Sequence, residues 1–229
     1  METLVTLKVS IVLHPIMAEI EVKDRIKAAA HELVMKYGFR TVSMDDIAAA
    51  VGMSKKTLYH YFQDKDELVK AVVDGVIEEN QCNCSGFVEK ANDAIHEIFL
   101  TMEMMVEMFS EMNASVLFEL QKYHPNVYRL FHKHKSEFIY QNIKLNLERG
   151  IKEELYREDI NVDVLSRYRI ESMFIPFNPE FQRGLNKYTL LEIEEQIILN
   201  FLFGMVSGKG YKLAMKYLDQ KNKTVSKHQ

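Results

Sequence analysis

The sequence predicts an all-α fold, and three observations carry that prediction. Only 9 Gly and 4 Pro punctuate the 229 residues, few for a fold built on tight turns. Apolar residues recur at helical spacing over long stretches, and cap signals separate those stretches. No two segments pair as strands, and no internal repeat is present. A hydrophobic content of 47% supplies a sizeable core, and the length suits one or two domains.

The elements follow in order. Met1 to Ile16 contain an apolar stretch with neither a basic start nor a small-residue cleavage site, so they do not read as a signal peptide. Two readings stay open for residues 1–16: a short ordered extension, or translation beginning at Met17. Val22, Ile26, Ala29, Ala30, Leu33 and Tyr37 then share one helical face, and Gly38 stops that helix. Ser43 opens a Ser-x-x-Asp cap for a helix from Met44 to Val51. Gly52 breaks the chain, and Ser54 caps a helix carrying Lys55 through Phe62. Asp64-Lys65-Asp66-Glu67 opens a longer helix to about Glu79.

Cys82 to Gly86 reads as a break, Phe87 to Met112 as a long helix and Ala114 to Lys122 as a shorter one. Pro125 occupies the first position of a helix reaching about Gly150. Asn161 caps a helix through Phe174, and Pro176, Pro179 and Gly184 mark a loop. Thr189-x-x-Glu192 caps a last segment to about Leu218, with Gly204, Gly208 and Gly210 as kink points. The tail after Asp219 is polar. The expected organisation is an extension (1–16), a three-helix unit (17–67), a larger helical domain (68–219) and a polar tail (220–229).

The formal net charge of −4 argues against a uniformly basic nucleic-acid binder, so any such contact needs a local positive face. Cys82 and Cys84 are too few for a disulfide framework and suit a reducing compartment. No apolar run approaches the roughly 20 residues that cross a bilayer. A cytoplasmic protein without membrane contact is the expectation.

The stretch from Met44 to Tyr61 carries the chemistry. Two short helices must cross closely there, which asks for a small residue inside the angle, and Ala48 supplies it. The turn favours positive φ, and Gly52 supplies that. Ile47, Val51, Met53, Leu58 and Tyr61 hold the pair together, leaving Lys55, Lys56, Thr57 and His60 outward. An ordinary helical hairpin would explain the apolar positions but not a short second helix opening Ser-Lys-Lys-Thr. The layout is that of a helix-turn-helix whose second helix enters a major groove of double-stranded DNA.

From about Val22 to Val73 the sequence resembles the TetR (tetracycline-repressor) family. The resemblance rests on Gly38-Phe39-Arg40-Thr41-Val42, Asp46-Ile47-Ala48, Val51-Gly52-Met53-Ser54, Thr57-Leu58-Tyr59, Tyr61-Phe62 and Lys65-Asp66-Glu67-Leu68. It implies that Lys55 and Lys56 face base edges or phosphates, and that Thr57, Tyr59 and Tyr61 contact the DNA backbone. It also implies that Lys65 meets a phosphate. Ser43 and Ser54 stand at helix N-termini, where a hydroxyl and free N–H groups can meet phosphate, and His60 is a candidate base reader. Residues 17–76 hold 9 Lys and Arg against 10 Asp and Glu, so the lysines must cluster on the DNA side.

Beyond that segment the resemblance is architectural. It implies a ligand-binding and dimerisation domain, a homodimer on a near-palindromic operator, and repression relieved by a small effector. Met102, Met105, Phe109, Phe118, Phe131 and Phe138 are the candidate pocket lining, suited to an apolar or aromatic molecule. They can equally be helical core. Dimerisation is implied through the last helices, with Leu190, Ile193, Ile197, Phe201 and Met205 on one face and intramolecular core as the other use.

Two other classes of function compete with this reading. Cys82-x-Cys84 with the scattered His96, His124, His132 and His134 invites a metal or thiol sensor, but a lone Cys-x-Cys lacks a ligand set. A helical enzyme would need a polar catalytic cluster. The sequence has no nucleotide-binding Gly loop, nucleophile elbow or paired zinc histidines, so neither catalysis nor a cofactor is expected.

Overall fold

A computed structural model describes residues 2–110 and 112–225; side chains are not described for 2–18, 107, 224 and 225. Met1 and the end of the predicted polar tail, 226–229, lie outside the described residues, as do the side chains of the segment 1–16. The chain is all-helical. Its order is α1 (Glu2–Tyr37), α2 (Met44–Ala50), α3 (Lys55–Tyr61), α4 (Lys65–Lys90), α5 (Ala94–Phe109) and α6 (Val116–Tyr123). There follow α7 (Pro125–His134), a π-helical turn (Lys135–Ile139), α8 (Tyr140–Lys152), α9 (Val162–Ser172), α10 (Pro179–Gln182), α11 (Leu190–Met205) and α12 (Gly208–Val225). No helix among the described residues is long and apolar enough to cross a membrane.

Caps set most boundaries. Ser43 and Asp46 close a reciprocal capping box on α2, and Thr189 and Glu192 close another on α11. Ser54, Asp64 and Asn161 each accept a backbone N–H in the first turn of α3, α4 and α9. Gly38 and Gly52 hold φ of +84° and +70°, a left-handed geometry that a side chain resists.

Three boundaries differ from the sequence reading. Cys82 to Gly86 is no break: α4 runs through it, because the Ser85 hydroxyl donates to the Gln81 carbonyl within the helix and no capping residue ends it there. The stretch from Phe87 to Met112 divides instead at 91–93, where Asp93 accepts from the N–H groups of Ile95 and His96 and starts α5. The last segment breaks between α11 and α12. An isolated antiparallel bridge joins Tyr156 to Val206 there. A Cβ on Gly210 would lie 1.9 Å from the Leu155 carbonyl oxygen, so only glycine fits that approach.

Two cores result. The first joins Ile26, Val34, Phe39, Ile47 and Leu58 to Leu68, Val69, Val72 and Val73 of α4, and continues into Val116, Leu120 and Val127. It therefore runs past residue 67, where the sequence reading placed the end of the three-helix unit. The second joins Ile95, Phe99 and Met102 of α5 to Leu147, Tyr156, Leu202 and Met205. α4 passes from the first unit along the helices that follow, packing on α5 and α7.

Candidate nucleic-acid interface and effector cavity

The α2–turn–α3 unit is built from a small buried contact. Ala48 and Leu58 are buried where the helices cross, and Ile47 lies beside them. Leu58 is the one buried residue of α3, so the rest of that short helix is presented outward. Lys56, Thr57, Tyr59 and His60 are exposed, while Tyr61 is half-buried against the core with its ring edge-on to His60.

Several of the outward groups already have partners in the free chain. The Lys55 ammonium lies 2.8 Å from an Asp45 carboxylate oxygen across the α2–α3 angle, and that hydrogen bond pushes its pKa up. The Ser54 hydroxyl accepts from Thr57 N and lies 2.8 Å from the Thr57 hydroxyl. Ser43 is engaged with Asp46, whose carboxyl those bonds hold below its usual value.

Lys65 sits differently from the outward phosphate contact that the resemblance implies. Its side chain is half-buried, and its ammonium donates to the carbonyls of Phe39 and Val42, tying the α1–α2 turn to the start of α4. Burial lowers its pKa. An ammonium has three donors, so one remains beyond these two ties.

The acids of this unit have structural partners of their own, which accounts for a module that is not basic overall. Asp46 and Asp64 are caps, Glu67 accepts from Gln63 N, Asp45 pairs with Lys55, and Asp66 pairs with His124 of the following domain. Arg25 was missed by the sequence reading. It lies on α1, and its guanidinium reaches the Val51 carbonyl at the C-terminal end of α2, 3.5 Å away. Only the tertiary crossing of α1 over α2 places it there.

The junction with the regulatory region is polar and specific. Arg40 N donates to a Glu119 carboxylate oxygen at 2.8 Å, and Asn113 N donates to the Met35 carbonyl at 2.7 Å. The buried His124 ring meets Asp66 on α4 and packs edge-on against Phe39.

Behind this junction lie two contiguous cavities of about 120 and 130 Å³, sharing Asn80, Thr101, Met104, Ile139 and Met173 as wall. The more apolar one is lined by Met105, Phe109 and Phe131, along with Met104, Met108 and Met112. It also reaches Met35 and Phe39 of the N-terminal unit and Val73, Val76 and Ile77 of α4. An open polar vestibule edged by His31, Glu32, Glu79 and Asn83 adjoins it.

Three residues expected in the lining lie elsewhere. Met102 is buried in the second core beside Met105 but lines neither cavity. Phe118 is 46% exposed beside a separate surface groove. Phe138 stacks on His134, and its neighbour Ile139 takes the cavity wall because the π-helical turn shifts the register.

The face of α11 is also divided differently. Leu190, Ile193, Phe201 and Met205 are buried within the chain itself, leaving Ile197 half-exposed. Asn200 and Gly204 lie exposed along the same side of α11, and a Cβ on Gly204 would meet nothing within 4 Å. Beside them on α9, Val164 is 60% and Tyr168 49% exposed, with the Tyr168 ring 6.2 Å from that of Phe201.

The Cys84 thiol lines the more polar cavity, and burial pushes its pKa up to about 11, which keeps it protonated and weakly nucleophilic. Among the described residues no three His, Cys, Asp or Glu side chains come together to hold a metal ion.

Residues 26–72 match the family described as "Bacterial regulatory proteins, tetR family". Over 179 residues the sequence is 31% identical to the HTH-type transcriptional regulator YvaF of Bacillus subtilis (strain 168), covering 76% of this chain and 90% of that protein. The fold is similar to a TetR-family transcriptional regulator from Agrobacterium tumefaciens, with a TM-score of 0.69 at 16% identity over 82% of this chain and all of the other. It is also similar to the ketosteroid transcriptional regulator KstR2 of Mycobacterium tuberculosis, with a TM-score of 0.56 at 16% identity over 81% of this chain and 95% of that one.

Proposed function

This chain belongs to the TetR family of bacterial transcriptional regulators, and on that premise we propose that it is a homodimeric repressor released from its operator by a small effector with a largely apolar body. One observation carries the reading. The Met- and Phe-lined cavity is walled at once by Met35 and Phe39 of the N-terminal unit and by α4, whose first turn carries the Lys65 tie back to that unit and the Asp66 tie forward to His124. A ligand that swells or fills this space acts directly on the joint that aims α3. It shifts the DNA equilibrium only by its difference in affinity between the two arrangements, typically ~1–3 kcal/mol.

In this reading Lys55, Lys56, Thr57, Tyr59 and His60 form the outer face of the recognition helix, with Ser43, Ser54 and Tyr61 at its margins and Lys65 supplying its remaining donor. The functional division falls along α4 rather than at a single residue. Dimerisation uses the side of α9 and α11 marked by Val164, Tyr168, Ile197, Asn200 and Gly204, where the bare glycine lets a partner helix approach closely. Leu190, Ile193, Phe201 and Met205 support that side from within.

The test is footprinting on the DNA upstream of the chain's own coding region. A near-palindrome with half-sites about one helical turn apart, roughly 34–36 Å, is expected to be protected. Lys55→Ala with Lys56→Ala weakens binding and reduces the slope of log affinity against log salt by about 0.9 per lost phosphate contact. Tyr168→Glu or Gly204→Trp yields monomer by sedimentation and loses the footprint. Deleting the protein raises expression from the protected promoter, and a fall would make it an activator. Met105→Trp fills the cavity and blocks release while operator affinity holds. A folded Met105→Trp variant that still responds normally moves the effector site elsewhere.

A further inference from the structure

Where the two cavities meet, the fold buries a charge pair that it leaves half-satisfied. Arg169 of α9 is 5% exposed and Glu194 of α11 is 1% exposed. They touch through one contact, Arg169 Nη2 to Glu194 Oε1 at 2.8 Å, rather than through the two parallel bonds that a guanidinium and a carboxylate can form. Arg169 Nη1 and Glu194 Oε2 are both buried and have no hydrogen-bond partner. Unmade hydrogen bonds on buried charged groups are costly, and native folds rarely keep them without a use.

The position of the pair supplies the use. Arg169 lines the more polar cavity and Glu194 the more apolar one. The remaining titratable side chains on the two walls are Cys84, Glu97 and His134. Glu97 is paired with Arg149 at 3.3 Å; His134 Nε2 meets Asn80 at 2.9 Å, while its buried Nδ1 has no partner but belongs to no ion pair. Arg169 Nη1 and Glu194 Oε2 are thus a donor and an acceptor left over on one ion pair, beside a chamber of Met and Phe side chains.

We propose that the effector is a carboxylic acid with an apolar body, its carboxyl seated on the Arg169–Glu194 pair and its body in the Met- and Phe-lined cavity. This rests on the reading that the cavity is the effector site. One carboxyl head answers both unmet atoms: an oxygen accepts from Arg169 Nη1, and a single proton is shared with Glu194 Oε2. The charges then close, with one guanidinium facing two carboxyls that hold one proton between them. Burial already pushes the Glu194 pKa up to about 7, so the second carboxylate can enter as Glu194 takes the proton. With an amide or ester head Glu194 stays ionised against Arg169; the ester has no proton to give Glu194 Oε2, and the amide gives a neutral N–H in place of the charge-assisted proton shared between two carboxyls.

The test is calorimetry of the full chain with hexanoate, octanoate, decanoate and phenylacetate, each against its primary amide and methyl ester. At least one acid binds, and binds about tenfold or more tighter than its own amide and ester, a preference of about 1.4 kcal/mol. Removing one member of a buried pair can unfold the protein, so the variant is Arg169→Met with Glu194→Leu, which keeps the site uncharged and filled. It retains the operator footprint and loses the acid preference. The proposal is overturned if no acid binds below the millimolar range, if acid, amide and ester bind alike, or if the folded double variant still prefers the acid. Met105→Trp separates the two levels. If it blocks acid, amide and ester together while they bind the native chain alike, the cavity reading stands and the carboxyl head falls. If the compounds bind Met105→Trp unchanged, the cavity reading falls.

Discussion

The N-terminal unit and the regulatory region use their polar residues in opposite ways. In the first, most acids and hydroxyls sit at the surface and act locally, Asp66 with its tie to His124 excepted: Ser43, Ser54 and Asp64 each bond a backbone N–H three residues ahead. In the second, polar groups are buried and act across the chain. Tyr156 OH donates toward Asn146 Oδ1 at 3.0 Å, Asn146 Nδ2 donates to the Ala94 carbonyl, and Arg169 meets Glu194 twenty-five residues away. A surface that must fit one shape of duplex gains from rigid local caps. On the proposed reading the chamber responds to a molecule, and the satisfaction of the polar groups held inside then depends on what fills it.

The largest expected effect breaks the comparison at its cores. Leu58 of α3 and Leu202 of α11 are both 0% exposed. Truncating either to Ala costs about 2–5 kcal/mol, and calorimetric melting will read that loss. Leu58→Ala removes operator binding while ligand binding persists, because its contacts lie in the first core. Leu202→Ala does the reverse first, weakening ligand binding before the helix-turn-helix. If both variants lose both activities together, the two cores unfold as one unit.

A smaller effect sharpens the buried half. The folded Glu194 pKa is raised from 4.5 to about 7 by burial, so the folded chain binds more protons than the unfolded one between those values. Its contribution is full below the unfolded value and is lost as pH rises through about 7, with a slope of at most about 1.4 kcal/mol per pH unit for one proton. His31 and His134, both lowered by burial, act in the opposite sense near neutrality. The measurement is therefore a difference: urea unfolding of the native chain minus that of Arg169→Met with Glu194→Leu, from about pH 5 to about pH 8. A flat difference removes the buried carboxyl from the pH dependence.

The smallest effect sharpens the surface half. Asp64→Ala deletes the cap of α4 and costs about 1 kcal/mol, visible as a small drop in melting temperature. Since α4 joins the two regions, the same change loosens the coupling between them. Operator affinity then falls more than the stability loss alone would give, and equal losses would confine Asp64 to capping.

The caps show how far the sequence carried. Ser43 with Asp46, Ser54, Asp64, Asn161 and Thr189 with Glu192 were legible because a cap is settled within one turn of chain. The helix-turn-helix was legible for the same reason, since Ala48 and Gly52 meet demands set within a few residues. What was not legible has the opposite cause. Lys65 turned inward because the carbonyls of Phe39 and Val42 end beside it, a placement no local pattern announces.

In the regulatory region the sequence determined that the chain is helical and that Met and Phe crowd it, though not where α4 ends and α5 begins. It could not decide which of those residues line a space and which fill one. Met102 and Met105 are equally apolar, three residues apart and both buried in the second core, yet only Met105 also reaches the cavity wall. On α11 the apolar periodicity marked a buried face correctly without saying whose chain buries it, and the chain's own second core took most of it. The sequence by itself determined the family, the all-helical class and the local architecture of the DNA-facing unit, because propensity, caps and turns act over a few residues. Only the tertiary structure decided the cavity, the outward side of α9 and α11 and the Arg169–Glu194 pair, because each depends on which distant helices come to lie against one another.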